Sequence, residues 1–217
     1  MAGLIGGLPS GGARYMHKNF LKFLLVPVAA ASLAGCGINS VPTAEENAKA
    51  KWADVQAAFQ ERANLIPNLA NVVKGAAAQE NKTLTEVIQA RAQATSPNIQ
   101  VNPDDLSNPA KMAAFQAAQN QLSGSLSRLL VSVEQYPQLK SQEGYLKLQD
   151  QLEGQENRVR ITLRDYNEAV RGYNTTIRTF PDIIGAKIIH GAKPMIPYQA
   201  TTPGAESAPK LDMAPAT

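Results

Sequence analysis

The feature that most constrains this chain is a seam between Ala48 and Arg91. Its positions are Ala48, Trp52, Val55, Phe59, Arg62–Ala63, Ile66, Leu69–Ala70, Val73, Ala77, Leu84, Val87 and Ile88. The steps alternate between three and four, which is helical spacing held for about six heptads. As one helix, the stretch predicts a rod on the order of 65 Å long. Pro67 falls in its middle. A proline there has no N–H to give and crowds the carbonyl of Ala63, so a kink is expected. The carbonyl left over needs a donor, and Asn64 and Asn68 are the nearest polar side chains.

The rest of the chain reads as partners for this rod. Thr43-Ala44-Glu45-Glu46 matches a capping box and predicts the start of the first helix, which runs to about Ala94 before Thr95–Asn98 stops it. Pro97 to Asn108 is a loop. Ser107 or Asn108 caps a second helix with Pro109 in its first turn. That helix carries Met112, Phe115, Gln119, Leu122, Leu126, Leu129, Val133 and Tyr136, and Tyr136-Pro137 ends it. Ser141 caps a third helix. Its seam is Tyr145, Leu148, Leu152, Val159, Leu163, Tyr166, Val170, Tyr173, Ile177 and Phe180, interrupted by polar Gln155–Glu156. Residues 182–190 form a short fourth segment. Long β-branched alternating runs are absent and only 6% of residues are aromatic, which favours an all-α class. The expected fold is an antiparallel bundle of three long helices with coiled-coil-like seams, the first helix kinked and a short fourth segment following, over residues 43–190. A kink at Pro67 would divide the first helix into two layers. Five prolines in residues 191–217 predict an extended, mostly disordered tail.

The first forty residues carry a different signal. Met16-His17-Lys18-Asn19-Phe20-Leu21-Lys22 is basic, Phe23 to Ala34 is apolar and short, and Leu33-Ala34-Gly35-Cys36 follows. This is the layout of a secretory signal peptide. Its end resembles the bacterial lipobox, in which the cysteine receives a diacylglyceryl group, the chain is cut before it, and the new N-terminus is acylated, as with palmitate. Residues 1–35 are therefore expected to be a signal peptide, with translation starting at Met16, and 36–42 a lipidated tether. The apolar run is too short to span a bilayer, which takes roughly 20 residues. Acyl chains on Cys36 would anchor the protein instead.

Charge and composition exclude several functions. The chain has 21 basic and 18 acidic residues. Removing Arg14, Lys18 and Lys22 with the signal leaves 18 of each, so no basic nucleic-acid footprint is expected. One cysteine and two histidines, His17 and His190, cannot make a Cys/His zinc site within a mature chain. No nucleophile elbow or phosphate loop occurs. Glu153, Glu156 and Arg160 can pair along the third helix, as can Arg164, Glu168 and Arg171. Paired carboxylates serve general acid–base chemistry or metals, but the Glu-x-x-His of di-iron bundles is missing, and salt-bridged helix surface is the preferred reading. Tyr166-Asn167 and Tyr173-Asn174 repeat one heptad apart. They make either a polar binding surface or buried layers that fix helix register. No cofactor is expected.

Three blocks, in order, make the sequence resemble the LemA family of bacterial membrane-associated proteins. The first is Glu46-Asn47-Ala48-Lys49 to Trp52, then Gln60-Glu61-Arg62-Ala63-Asn64-Leu65-Ile66-Pro67-Asn68-Leu69 and Val72-Val73-Lys74-Gly75. The second is Val133-Glu134-Gln135-Tyr136-Pro137-Gln138-Leu139-Lys140. The third is Leu148-Gln149 with Leu152-Glu153-Gly154-Gln155-Glu156-Asn157-Arg158, followed by Arg164, Tyr166-Asn167-Glu168-Ala169-Val170, Tyr173-Asn174 and Phe180-Pro181. The likeness covers about residues 38–200. Asn64 stands where the family usually has Asp. The resemblance implies an antiparallel helical bundle anchored at its N-terminus, with no established catalytic residues. It marks Arg62, Pro67, Asn68, Glu134, Tyr136, Pro137, Glu153, Glu156, Asn157, Arg158, Tyr166, Asn167, Tyr173 and Asn174 as motif positions. Many members carry a transmembrane helix, so the lipobox is a departure. It implies a bundle in the cell envelope facing the periplasm, and Gly37 resembles outer-membrane sorting in a Gram-negative host.

The function expected is a non-enzymatic lipoprotein that scaffolds another envelope protein. The alternative is an envelope hydrolase or ligand-binding receptor with a polar cleft on the third helix. A pocket gathering Glu153, Glu156, Tyr166 and Tyr173 around Arg62 would favour the alternative. Dispersal of these residues would favour scaffolding.

Overall fold

The computed structural model describes residues 13–76 and 81–199, all helix, turn and loop. Six α-helices are found there: α1 (Ala13–Ala76), α2 (Asn81–Ala94), α3 (Pro109–Val133), α4 (Pro137–Lys140), α5 (Glu143–Thr176) and α6 (Asp182–Ile188). A single 3-10 turn, Pro103–Asp105, sits in the loop before α3. The all-α class is as expected. No helix among the described residues is long and apolar enough to cross a membrane.

The described residues divide into two compact units. One combines 44–174 with 193–199 and holds the bundle. Its topology follows from contacts between named residues. Trp52 packs on Phe115 and Arg62 bonds Ser123, so α1 and α3 run parallel. Gln119 bonds Ala94, and Arg128 bonds Glu86, so α2 opposes α3. Trp52 packs on Tyr166 and Arg62 bonds Glu156, so α5 opposes α1. The result is an up-down-up-down bundle of four long segments.

The seam residues form its core. Trp52, Val55, Ile66, Leu69 and Val73 from α1 are buried, with Val87 from α2, Phe115, Leu122 and Leu129 from α3, and Tyr145, Val170 and Tyr173 from α5. Each large apolar side chain contributes roughly 1.5–3 kcal/mol on burial. The expected cap of α3 is present: the Asn108 carboxamide oxygen accepts from the N–H groups of Ala110 and Lys111, with Pro109 next to it.

The first helix is shorter than the expected run to about Ala94. The helix continues through Pro67 and ends at Ala76, and α2 starts at Asn81. The Arg91 Nε donates to the Ala63 carbonyl at 2.8 Å. In one continuous helix those residues would lie about 42 Å apart, so the chain folds back between them. The sequence reason is a skipped turn in the seam between Ala77 and Leu84, just after Gly75, where Glu80 and Asn81 stand in place of apolar residues. Arg91 also supplies the donor that Pro67 leaves wanting. Asn64 and Asn68 do not. Both are exposed, and the Asn64 side chain accepts from Gln60 instead.

Three further boundaries differ. Thr43 lies inside α1, where its hydroxyl donates to the Asn39 carbonyl at 2.7 Å. This back-bonding inside a helix replaces the capping box. The backbone is helical through residues 36–42, the expected tether, and over 13–35 as well, while residues 1–12 of the expected signal lie outside the described residues. Ser141 does not cap α5, because its hydroxyl donates back to Gln138. Phe180, placed in the α5 seam by its spacing, is 69% exposed, since α5 ends at Thr176 before the Phe180-Pro181 bond.

The other unit joins residues 13–43 with 175–192. Within it, the Ser40 hydroxyl donates to Asp182 at 2.7 Å, which ties α6 to α1. Gly185 and Ala186 are the buried side of α6.

The Arg91–Ala63 bond predicts a specific coupling. Arg91→Met should destabilise the fold by about 1–3 kcal/mol, the cost of a buried carbonyl left unpaired. In a Pro67→Ala background the residue at 67 regains its own N–H, and the same substitution should cost much less. Urea unfolding of the two single variants and the double variant measures the difference.

Candidate functional site

Arg62 projects from α1 into the middle of the bundle and is 1% exposed. One terminal nitrogen, Nη1, donates to Ser123 Oγ of α3 at 2.7 Å and to Glu156 Oε1 of α5 at 2.9 Å. The other, Nη2, donates to Gln119 Oε1 at 2.8 Å. Gln119 passes the connection on, donating to the carbonyl of Ala94 at 3.3 Å. Ala94 ends α2, so this bond takes up a carbonyl that the helix itself leaves open. One guanidinium thereby ties together all four long segments. It also stands 4.9 Å from the centre of the Phe59 ring. Glu156, half of the polar interruption in the α5 seam, is explained by its bond to Arg62. Glu156 remains 49% exposed, so its charge is only partly desolvated. Among the described residues, Arg62 Nε and Gln155 Oε1 are buried without a partner.

Next to Arg62 lies an aromatic cluster. Trp52 meets Phe115 at 5.3 Å and Tyr166 at 5.0 Å between ring centres, and Phe59 meets Phe115 at 5.5 Å. The Trp52 indole N–H donates to the Val101 carbonyl at 2.7 Å and pins the loop after α2. Tyr198 joins from outside the helices, 5.9 Å from Phe59.

Tyr198 belongs to a strap, residues 193–199, that runs along α5. The Asn174 carboxamide donates to the Met195 carbonyl at 2.8 Å and accepts its N–H at 2.9 Å. Asn167 does the same for Tyr198, at 2.9 and 2.8 Å. The Tyr166 hydroxyl donates to the Ile196 carbonyl at 2.9 Å, and the Ile196 N–H donates to Leu106 at 2.9 Å. The spacing makes this possible. One heptad of helix rises about 10.5 Å, and three residues of extended chain span about 10 Å. Met195 and Tyr198 are buried. The expected disordered tail is thus corrected over 193–199: the prolines pre-extend a segment that is then held, while residues 200–217 lie outside the described residues. Burial pushes the Tyr166 hydroxyl far above its ordinary value and Tyr198 up to about 12, with Arg62 opposing and Glu156 adding to the shift at Tyr198. Both stay protonated at neutral pH.

Arg62, Glu156 and Tyr198 line a cleft of about 440 Å³. Phe59, Val159 and Leu163 give it apolar wall, and Arg160, Arg164 and Asn167 give it polar groups. The arrangement can accept an anion on an apolar body. It brings only part of the expected constellation together. Glu153 is exposed and accepts from Gln149 at 3.3 Å. Tyr166 lies in the aromatic cluster. Tyr173 is buried farther along α5, where burial and Glu45 raise its pKa and Lys49 opposes. Asn157 accepts from Arg160 at 2.6 Å, and Arg158 donates to Glu61 at 2.8 Å across to α1. Arg164 pairs with its neighbour Asp165 at 3.0 Å. Pro67 and Asn68 are exposed on α1. Glu134 closes α3, and Tyr136 and Pro137 start α4. Among the described residues, no group of three His, Cys, Asp or Glu side chains is arranged to hold a metal. The side chain of Cys36 lies outside the described residues.

Sequence reasoning missed Arg91, Ser123 and Tyr198, and it treated Gln119 as a seam position. The signal for the strap was present in two parts: Asn167 and Asn174 one heptad apart, and Pro194 and Pro197 three residues apart.

The LemA family model matches residues 51–213. Protein LemA of Metamycoplasma hominis is 29% identical over 126 residues, covering 58% of this chain and 52% of that protein. Magnetosome proteins MamQ 1 and MamQ 2 of Paramagnetospirillum magneticum are each 26% identical over 157 residues, covering 66% of this chain and 58% of theirs. The chain thus aligns with between half and three-fifths of the length of these relatives.

Two outcomes follow from the geometry. Arg62→Ala should cost about 3–5 kcal/mol, since it opens a cavity and strands Gln119. Glu156→Gln should cost only about 1 kcal/mol, because a half-exposed partner is partly screened by water. Chemical denaturation checks both. Separately, Asn167→Ala and Asn174→Ala should each speed amide exchange across residues 193–199 while leaving exchange in α3 unchanged, as read by mass spectrometry.

Proposed function

Because the chain belongs to the LemA family, we propose that it is a membrane-anchored, non-catalytic scaffold for another protein of the cell envelope. One observation carries this reading. The polar side chains best suited to chemistry are committed to the bundle's own bonds: Arg62 and Glu156 to the central network, and Tyr166, Asn167 and Asn174 to the strap. What faces solvent is a band of polar side chains on α5, including Glu153, Asn157 and Arg158. A band of this kind is suited to a protein partner.

The anchor in this reading is acylated Cys36. The basic and apolar run before it and Leu33-Ala34-Gly35 support it. The mature chain would then stand in the envelope facing the periplasm, at the outer membrane in a Gram-negative host. The cleft beside Arg62 supports a second reading, a receptor for a small anionic ligand, since Arg62, Arg160 and Arg164 outnumber Glu156 there.

Photo-crosslinking from positions 153, 157 and 158 in intact cells tests the scaffold. A discrete protein partner, recovered from the same sites in repeated trials, is the expected result. Recovery of no partner from a stably produced, membrane-bound chain would overturn it. Cys36→Ser should abolish incorporation of labelled palmitate and release the protein from membranes. Retention of the variant in membranes would overturn the lipid anchor.

A further inference from the structure

The unit built from residues 13–43 and 175–192 carries an apolar surface that the scaffold reading does not use. Phe180 is 69% exposed, Ile184 52%, Ile188 78% and Ile189 58%. Among the other residues whose side chains are described (39–74, 82–139 and 141–199), four large apolar side chains are exposed: Ile88, Val131, Leu146 and Ile161. These are scattered singly over three other helices, as is ordinary for a protein surface. The four in 180–189 are concentrated in one short stretch. Ile184 and Ile188 are spaced i,i+4 and share one face of α6. Gly185 and Ala186 form the buried side of the same helix. Lys187 and Arg178 are exposed in the same segment.

The position of this surface argues for its occupant. Asp182, at the start of α6, accepts the Ser40 hydroxyl at 2.7 Å. Ser40 is four residues beyond Cys36, and both lie within α1. Four residues of helix rise about 6 Å. An acyl group on Cys36 would therefore hold α6 within reach of the lipid headgroups.

We infer that the exposed apolar face of α6, with Phe180 and Ile189, is a membrane-contact surface that seats in the lipid interface beside acylated Cys36. The inference rests on the acyl-anchor reading. Its chemistry is that of an interfacial segment, with isoleucines and a phenylalanine entering the headgroup–acyl boundary by about 5–10 Å and cations toward the headgroups. Arg178 and Lys187 give the segment a preference for anionic lipid. The acyl chains and the α6 face then act as two signals at one point on the chain. The acyl chains supply retention, and α6 fixes on the membrane the orientation of residues 36–43 and 175–192, the part of this unit that cleavage before Cys36 leaves.

The test uses the mature, acylated chain from Cys36 onward in vesicles of phosphatidylethanolamine and phosphatidylglycerol, with and without brominated acyl chains. Ile188→Trp places a reporter at a largely exposed position, while Trp52 stays buried in the bundle as a constant background. The expected result is blue-shifted emission from position 188 and a roughly two-fold loss of its intensity in brominated vesicles. Adding Ile184→Asp and Ile189→Asp should abolish that quenching while the chain still sediments with vesicles. Sedimentation without quenching at position 188 would overturn the α6 surface and leave the acyl anchor standing. A chain that carries no acyl mass at Cys36 and does not sediment would overturn the anchor and this inference with it.

Discussion

The guanidinium of Arg62 is the interaction on which the bundle depends. Taking a charge out of water costs several kcal/mol, and hydrogen bonds from both terminal nitrogens, with the Glu156 carboxylate among the acceptors, offset it while Nε goes unpartnered among the described residues. Here one side chain reaches α3 and α5 directly and α2 through Gln119. Four apolar seams would pack in several registers with little difference in energy. A single buried polar hub removes most of those choices, because a slip of one turn on any helix would strand it. The aromatic cluster beside it then fills the space that the fixed register defines.

The second constraint is local. Pro67 takes one N–H out of α1, and the helix survives because Arg91 returns from α2 to the carbonyl that was freed. Arg62 and Pro67 lie about one and a half turns apart on α1. One bonds α3 and α5 and reaches α2 through Gln119, and the other is compensated by the segment that folds back beside it. The Arg62–Leu69 run is therefore best understood as a joint, where covalent chemistry in one helix is answered by a side chain in another.

Much of the fold was legible in the sequence. Three–four spacing picked out Trp52, Phe115, Leu122, Tyr145 and Tyr173, and all are buried. Asn108-Pro109 announced the start of α3 correctly, because a cap is a local bond. The misreadings were non-local. The boundary between α1 and α2 hides in a seam that misses only one apolar position, and Thr43 resembles a cap unless its neighbours are already helical. Glu156 was read as a helix-surface ion pair with Arg160, because the residue it serves lies 94 positions away. The strap was read as disordered because low apolar content and proline are shared by disordered chains and by chains pre-extended for binding.

The strap's prolines also set its alignment. Asn167 and Asn174 grip only backbone, so they do not select side chains at the positions they hold. They do require an N–H at each, and Tyr198 and Met195 supply it. Moving the strap by one residue in one direction would bring Pro197 and Pro194 opposite the two asparagines together, and neither has a hydrogen to give. Moving it the other way would take Met195 and Tyr198 out of their buried seats. The segment behaves like a ratchet tooth, its position dictated by where the chain lacks hydrogens.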